Sequence, residues 1–545
     1  MRTAIGLTLS WLVSVVACAS GPARADTASA AAPATTMLAG TIYEDRDGDG
    51  RRDRDEPGVA DAAVSNGRDL VVTDAGGRYR IGVAPGQTVF VIKPAGWRLP
   101  GDDPARPHVW RNAPVRGPAP KYGGLGDAPL PSRFDVGLRR AVPVAGALSV
   151  RVFADPQPKS QVDVGYYGRD IVDSVRTESG TGMPPPAQLG ASLGDIVNDD
   201  LALYPAMNAQ TRRIGVPWLH VPGNHDLDFD VAGDEASLQS WRRTFGPDTF
   251  AWEEPQATFI GLDDVIYRPG PPQGYIGGFR EDQFAFLQAY LPRVPKDRLL
   301  VLMVHIPLFE AEPKDTFRDA DRERLFALLR DFPHVLLLSG HMHTQQHWRH
   351  GAKTGWHGAT PLHEYNVGAA CGAYWSGVKD AAGIPDATMP DGTPNGYASL
   401  VIDAGGTYAL RWHAARAPGD AAIGLHAPKV LRHGAYPAWA VYANVWMGQD
   451  GDRVEFRIDG GDWAPMRQVL APDPALATEN ARDDMADALR GYDRSPEATP
   501  SPHLWRGALP TGLAVGAHRI EVRAFDAWRG ELRAETNYRL EDAAP

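Results

Sequence analysis

The sequence predicts an α/β domain in the middle of the chain with an all-β domain on either side of it. Between Leu148 and His343, short apolar runs alternate with amphipathic segments of helical period, as expected for a layered α/β protein. Before and after this region, short alternating segments are separated by Gly, Asp and Pro, a pattern typical of β-sandwiches. A chain of 545 residues also exceeds what one hydrophobic core supports, so several domains are expected.

The composition excludes some classes of protein. Hydrophobic residues make up 43% and charged residues 22% of the chain, which is ordinary for a soluble globular protein. The formal net charge of −12 argues against a protein that grips long nucleic acid, because phosphate contacts need a basic surface. A small phosphorylated substrate remains compatible with this charge, since bound metal ions can invert the local field.

The first residues predict an export signal. Arg2 precedes an apolar run from Ala4 to Ala19, which is too short to span a bilayer, and Ala23-Arg24-Ala25 fits cleavage after residue 25. We therefore assign residues 1–25 to a signal peptide and expect no transmembrane span. The protein would be periplasmic, anchored to the outer membrane or secreted. A rival hypothesis makes Val15-Val16-Ala17-Cys18 a lipoprotein box, with Cys18 as the lipid anchor.

Residues 26–36 predict a linker, and residues 37–140 predict an amino-terminal β-sandwich. Within it, the run from Asp45 to Glu56 matches a twelve-position calcium loop, with Gly at position 6 for the turn. The flanking segments are strand-like, so we expect a structural calcium ion without EF-hand helices; the alternative is an acidic, solvated turn. The predicted calcium residues are Asp45, Asp47, Asp49, Arg51, Asp53 and Glu56.

In the central region, polar side chains follow five apolar runs at the point where each predicted strand ends. These residues are Asp155, Gln157, Asp195, Asn224, His225, Asp226, His305, His341 and His343. Ligands of open α/β sheets bind at the carboxyl ends of the strands, so this pattern predicts a metal site assembled from distant parts of one sheet. Helical patterns intervene at residues 201–213, 235–245, 281–291 and 320–329.

The order of these motifs resembles the metallophosphoesterase superfamily, also called calcineurin-like phosphoesterases. GDIVN, GNHD, VH and GHMH stand in the family order, whereas the first motif reads Asp155-Pro156-Gln157, with Gln157 in the usual His place. The resemblance implies an α/β/β/α sandwich over residues 143–376. From residue 377 onward, turn signals separate strand-like runs such as ASLVIDA, TYALRWH and WAVYANVWM, so residues 377–545 are predicted to form a carboxy-terminal β-sandwich. The AACGAYWSG and SPHLWRGALP passages resemble exported bacterial members that have β domains at both ends.

The resemblance also implies an activity and a role for each site residue. The protein would be a metal-dependent phosphoric ester hydrolase, a phosphatase or a phosphodiesterase, in which a metal-bridging hydroxide attacks the phosphoester. Asp195 would bridge two divalent ions. Asp155, Gln157 and His343 would bind the first, and Asn224, His305 and His341 the second. His225 would face the substrate. Apart from the resemblance, we expect the next residue, Asp226, to hold the His225 imidazole in one tautomer.

The sequence leaves the metals and the substrate open. Mn, Fe, Mg and Zn all suit such a site, and Mn is favoured because the amide oxygen of Gln157 is a harder donor than imidazole. The substrate would be a small, lipid-linked or envelope-linked phosphoester. The alternative function is a non-catalytic envelope-binding protein with a degenerate phosphoesterase domain, although Asn224 and His225 are both retained. A metallo-β-lactamase-type hydrolase needs an HxHxDH run, which this chain lacks.

Overall fold

The computed structural model describes residues 35–99, 109–141, 146–178, 184–270, 274–309, 317–436, 439–491 and 493–543. The predicted signal peptide, nearly all of the predicted linker, and Cys18 lie outside these ranges. Within the ranges, no helix is both long enough and apolar enough to cross a bilayer.

The amino-terminal region consists of short strands in two sheets that share a core. The strands are β1 (Thr36–Glu44), β2 (Ala63–Ser65), β3 (Leu70–Val72), β4 (Arg78–Val83), β5 (Thr88–Val91), β6 (Trp97–Arg98), β7 (Trp110–Asn112) and β8 (Val136–Arg140). One sheet has the order β4-β1-β8-β6 and the other β3-β2-β5-β7. Ile42 and Leu138 of the first sheet and Val64 and Val89 of the second are fully buried in one cluster. This is the predicted β-sandwich.

The central region contains two large sheets with helices packed against them, and a two-stranded sheet. Its strands are β9 (Leu148–Phe153), β10 (Leu189–Leu193), β11 (Trp218–Val221), β12 (Phe250–Glu253), β13 (Ala257–Gly261), β14 (Val265–Arg268), β15 (Gly274–Gly277), β16 (Leu299–Met303), β17 (Val335–Ser339), β18 (Gln346–His350), β19 (Leu362–Asn366), β20 (Gly396–Ile402) and β21 (Tyr408–Ala414). Its helices are α1 (Gln161–Tyr167), α2 (Asp173–Thr177), α3 (Tyr204–Thr211), α4 (Gln239–Phe245), α5 (Glu281–Tyr290) and α6 (Asp319–Leu329).

The two central sheets have the orders β11-β10-β9-β20-β21 and β12-β13-β16-β17-β19-β18. β16, with the sequence LLVLM, is buried at every position, as expected for a strand covered on both faces. Phe284 of α5 and Leu325 of α6 belong to the same buried cluster as the strands. The predicted α/β/β/α sandwich is confirmed. A π-helical turn, Gly168–Val172, joins α1 to α2.

The two strands after residue 395 were predicted to belong to the carboxy-terminal β-sandwich, but in the structure they belong to a central sheet. β20 pairs antiparallel with β9, so that Leu400 lies opposite Val150, and β21 pairs with β20. Tyr397 on one face of β20 and Ala398 and Leu400 on the other are all buried. β20 therefore completes a central sheet, because a strand this apolar needs cover on both faces.

The rest of the chain forms the second all-β region. Its elements are β22 (Ile423–His426), β23 (Val430–Arg432), β24 (Ala440–Val445), β25 (Val454–Ile458), β26 (Ala464–Pro465), β27 (Arg467–Gln468), β28 (Ala471–Pro472), α7 (Pro474–Asp484), β29 (Pro500–Ser501), β30 (Leu504–Ala508), β31 (Gly516–Asp526) and β32 (Gly530–Glu541). Sheets β22-β24-β30-β27 and β23-β32-β31-β25-β26 share a core that includes Val441, Trp505 and Val522. Asp473 caps α7 by accepting hydrogen bonds from the backbone of Ala475 at 2.8 Å and Leu476 at 3.1 Å.

Candidate metal centre

The predicted metal residues all follow strands of the two central sheets. β9, β10 and β11 run parallel, as do β16 and β17, so their carboxyl ends meet at common edges. Most of the predicted ligands have a left-handed backbone: φ is 48° at Asp155, 41° at Gln157, 50° at Asp195, 73° at His341 and 51° at His343. Non-glycine residues rarely adopt this conformation, and where it persists it concentrates at functional sites.

Two glycines of the motifs leave room for donor atoms to lie against the backbone. A Cβ on Gly223 would approach the Asp195 Oδ1 to 2.2 Å, and one on Gly340 would approach the Asp155 Oδ2 to 2.7 Å. Both distances are far inside van der Waals contact. The glycines of GNHD and GHMH are therefore required by the position of the carboxylates.

The donors assigned to the second metal converge around Asp195. Donor atoms of Asp195, His305 and His341 all lie within 4.8 Å of one another. The Nε2 of His305 is 3.4 Å from the Asp195 Oδ1, 3.0 Å from the Asn224 Oδ1 and 3.2 Å from the His341 Nδ1. Carboxylate, amide oxygen and imidazole nitrogen thus surround one small volume, and this donor set fits a divalent cation.

Backbone carbonyls orient two of the histidines. The Nδ1 of His305 donates to the Leu193 carbonyl at 2.8 Å, and the Nδ1 of His343 donates to the Gly372 carbonyl at 2.7 Å. Each bond leaves Nε2 to face the centre, as is usual for metal-binding histidines. The Nε2 of His343 lies 3.5 Å from the Asp155 Oδ1. Asp155 and His343, which the resemblance assigns to one metal, are therefore adjacent.

Gln157 lies inside the same cluster but turns its amide nitrogen toward the carboxylates. Its Nε2 donates to the Asp195 Oδ2 at 3.2 Å, and its Oε1 lies 3.9 Å from the Cys371 Sγ. Cys371 is fully buried. Coordination of a metal by Gln157 therefore requires its amide to rotate so that Oε1 faces the cation.

The pKa shifts show how strongly the buried carboxylates attract positive charge. Burial alone would lower the pKa of His305, but the neighbouring Asp195 carboxylate outweighs it and raises the pKa to about 10. Burial, followed by the charge on His305, lowers the pKa of His341 to about 4. One positive charge is thus favoured beside Asp195, which is the electrostatic requirement of a cation site.

His225 sits at the mouth of this cluster. Its side chain is 27% exposed, and its Nδ1 lies 2.7 Å from the Asp199 Oδ1. Its backbone N–H donates to the Asp195 Oδ1 at 2.9 Å. Burial would lower the pKa of the His225 imidazole, but the hydrogen bond to Asp199 and the charge on Asp195 outweigh it and raise the pKa.

The predicted role of Asp226 is wrong. Its carboxylate is fully buried and accepts hydrogen bonds from the backbone of Gly223 at 2.9 Å, the backbone of Ile196 at 3.2 Å and the Tyr204 hydroxyl at 3.0 Å. Asp226 therefore links the loops that carry the metal-binding residues. The Asp199 carboxylate, not that of Asp226, orients the His225 imidazole. The sequence analysis missed Asp199, although it stands four residues after Asp195 in the run GDIVND.

Models of one protein family match three parts of this chain. Models of the amino-terminal, catalytic and carboxy-terminal parts of calcineurin-like phosphoesterases match residues 46–120, 189–345 and 364–531. The chain belongs to the calcineurin-like phosphoesterases. A search of curated proteins found no match. Among solved structures, a purple acid phosphatase, PPD1, from seeds of yellow lupin (Lupinus luteus) is similar at 12% identity and a TM-score of 0.36, covering 65% of this chain and 67% of the lupin chain.

As a calcineurin-like phosphoesterase, the protein is a metal-dependent phosphoester hydrolase.

One buried acid outside the predicted motifs supports the metal centre. Asp264 is fully buried, and its carboxylate accepts hydrogen bonds from the backbone of His305 at 3.0 Å and of Ile306 at 3.0 Å. Burial raises the pKa of Asp264 to about 8. Asp264 thereby fixes the end of β16, where His305 leaves the strand. Sequence analysis missed it because Asp263-Asp264 matches no motif.

The predicted calcium loop of this phosphoesterase is a tight acidic turn. Carboxylate oxygens of Asp45, Asp47 and Asp49 lie within 4.8 Å of one another. The buried Asp45 accepts hydrogen bonds from the backbone of Gly48 at 2.7 Å and Gly50 at 3.2 Å. Glu56, also buried, accepts from the backbone of Arg46 at 2.8 Å and Asp53 at 3.0 Å. The Asp45 and Glu56 carboxylates therefore hold the loop together by accepting hydrogen bonds from its backbone amides.

Proposed function

We propose that this phosphoesterase uses two divalent metal ions to hydrolyse a phosphomonoester or phosphodiester. The observation that carries the proposal is the convergence of the Asp195, His305 and His341 donors within 4.8 Å, with Asp155 and His343 adjacent. Two cations would supply an activated water as the nucleophile and neutralise the phosphoryl oxygens.

The chain's own residues divide the work. Asp195 lies between the two donor sets, because its Oδ1 faces His305 while its Oδ2 faces Gln157. Asp155, Gln157 and His343 would hold one cation, and Asn224, His305 and His341 the other. His225 is partly exposed at the mouth, and the Asp199 carboxylate raises its pKa, so its imidazolium would protonate the departing oxygen.

Metal removal tests this proposal. Protein stripped with a chelator is expected to lose hydrolysis of p-nitrophenyl phosphate or bis(p-nitrophenyl) phosphate and to regain it with Mn²⁺. Comparing the two esters also distinguishes a monoesterase from a diesterase. Full activity in protein shown to be metal-free would contradict the proposal.

Gln157→His tests whether residue 157 coordinates a metal. A rotated Gln157 amide would offer a neutral oxygen, which favours Mn²⁺ or Mg²⁺, whereas imidazole suits Zn²⁺. We expect the substitution to raise the activity with Zn²⁺ relative to Mn²⁺ by about tenfold, the size typical of changes around a metal. An unchanged metal preference would show that Gln157 acts only through its hydrogen bond to Asp195.

We also propose a structural calcium ion in the loop from Asp45 to Glu56, supported by its converging carboxylates. Millimolar Ca²⁺ is expected to raise the melting temperature of the metal-loaded protein by about 2–4 °C. Asp49→Asn should remove this shift, because the exposed Asp49 is one of the converging acids. Asp55→Asn, an exposed acid outside the donor positions, is the control and should keep it. The proposal would be wrong if calorimetry detected no heat of Ca²⁺ binding and Ca²⁺ did not change the melting temperature.

We propose that the protein is exported. The support is the sequence of residues 1–25 alone, which has a basic start, an apolar run and small residues before a cleavage site. Mass spectrometry of the mature protein is expected to find an unmodified start at Asp26. A lipid on Cys18 would contradict this prediction and show that Cys18 anchors the protein.

A further inference from the structure

We propose that Lys159 and Tyr374 form a subsite for a second negative charge on the leaving-group part of the substrate. The substrate class would be phosphoesters of an alcohol that carries another anionic group, such as a carboxylate or a second phosphate. This inference rests on the proposed function and names the part of the substrate that the metals do not contact.

Tyr374 lies next to the metal centre, and its side chain is partly exposed to solvent. It is 44% exposed, and its ring centroid lies 4.7 Å from that of His343. Its φ is 56°, and that of Trp375 is 57°. Two consecutive non-glycine residues in the left-handed region are unfavourable and persist only where the surroundings impose them. The Tyr374 ring is therefore held beside His343 by a backbone conformation that the residue does not favour by itself.

The surroundings that impose this conformation also belong to the first metal site. Trp375 is fully buried, and its indole N–H donates to the Pro156 carbonyl at 2.9 Å. The backbone N–H of Cys371 donates to the Asp155 carbonyl at 3.1 Å. The loop that carries Tyr374 is thus fastened directly to the Asp155-Pro156-Gln157 motif, and its position is fixed relative to the cations.

Lys159 places an ammonium group above this ring. It follows Gln157 by two residues, is exposed, and its Nζ lies 5.0 Å from the centroid of Tyr374. Among the described residues, no carboxylate forms an ion pair with its side chain; the nearby Asp163 accepts only its backbone N–H, at 2.9 Å. A cation–π contact restrains the ammonium without neutralising it. Its charge remains available to a ligand.

The subsite lies on the side where the leaving group would depart. The Pro158 carbonyl accepts a hydrogen bond from the backbone of Asn198 at 3.1 Å, so the loop of Lys159 adjoins the loop of Asp199. Asp199 in turn holds His225, the proposed proton donor to the leaving oxygen. Across the mouth, Tyr275 is 39% exposed, with its ring 6.0 Å from that of His341, and adds no positive charge.

Equilibrium binding of two phosphonates to the manganese-loaded protein tests the subsite. Benzylphosphonate and (4-carboxybenzyl)phosphonate resist hydrolysis and differ by one carboxylate. In calorimetry, the wild-type protein is expected to bind the carboxylated ligand about three- to fivefold more tightly, as expected for an exposed charge pair. Lys159→Gln should abolish this preference and leave benzylphosphonate affinity unchanged. Tyr374→Asn, which tolerates the left-handed backbone, should reduce the preference.

Lys296→Gln is the matched control. Lys296 is also exposed, with its Nζ 5.3 Å from the Phe332 centroid, but it precedes β16 at the opposite end of the strand from His305. It should keep the wild-type preference. Equal affinity for the two ligands in the wild type, or an unchanged preference in Lys159→Gln, would overturn the subsite alone. Failure of the wild type to bind either phosphonate would overturn the proposed function and the subsite with it.

Discussion

Asp195→Ala is expected to lower phosphoester hydrolysis by more than about 1,000-fold, because the change removes the one carboxylate that faces both donor sets. Asp195 lies 3.4 Å from the His305 Nε2 and accepts from the Gln157 amide and from the His225 backbone. Its loss would remove a shared ligand from both proposed metal sites and the acceptor of the His225 backbone N–H. Steady-state hydrolysis of p-nitrophenyl phosphate with saturating Mn²⁺ measures the effect, and His341→Ala should give a similar loss.

Asp228→Asn is the matched control for this experiment. Asp228 is also fully buried and stands in the loop that carries Asn224 and His225, but its carboxylate accepts hydrogen bonds from Ser240, from the backbone at 2.8 Å and from the hydroxyl at 2.6 Å. The variant should lose some stability and keep its activity. Near-normal activity in a folded, manganese-loaded Asp195→Ala protein would contradict the assigned role of Asp195.

His225→Ala is expected to slow the hydrolysis of esters with poor leaving groups far more than that of p-nitrophenyl phosphate. General acid catalysis contributes about 100- to 10,000-fold, and p-nitrophenolate departs without a proton whereas an alkoxide does not. The ratio of kcat/KM for p-nitrophenyl phosphate to that for an alkyl phosphate therefore measures the contribution of His225.

The same ratio distinguishes Asp199 from Asp226. Asp199→Asn removes the charge that holds the His225 imidazole at 2.7 Å, so it should reproduce part of the His225→Ala defect. Asp226→Asn should mainly cost stability, because this buried carboxylate binds backbone amides and Tyr204. A larger leaving-group effect in Asp226→Asn than in Asp199→Asn would contradict the assignment.

The structure brings together the residues that the sequence predicted for the metal site, because these residues sit at strand ends. Strands such as Leu299–Met303 and Val335–Ser339 are continuous apolar runs, and parallel pairing necessarily brings their carboxyl ends to one edge. The donors that follow, His305 and His341, then have little freedom to be elsewhere. The left-handed conformations at these positions were not predictable, since non-glycine residues show no preference for them in the sequence.

Features set by tertiary contacts were missed. Asp199 and Asp226 are both acids close to a motif, and only the folded loops show that the first meets His225 while the second points into the core. β20 follows a long irregular passage, so its pairing with β9 has no local signal. The helical stretch from α1 to α2 was also not predicted, because its π-helical turn interrupts the period on which helix prediction depends.

Anomalous diffraction from crystals of the protein grown with Mn²⁺ would show directly whether two cations share Asp195. We predict two peaks about 3.5–4 Å apart, the separation typical of dinuclear hydrolases, on either side of the Asp195 carboxylate. One peak should lie beside Asp155 and His343, and the other beside Asn224, His305 and His341. A single peak at saturating Mn²⁺, or two peaks that Asp195 does not bridge, would contradict the dinuclear site.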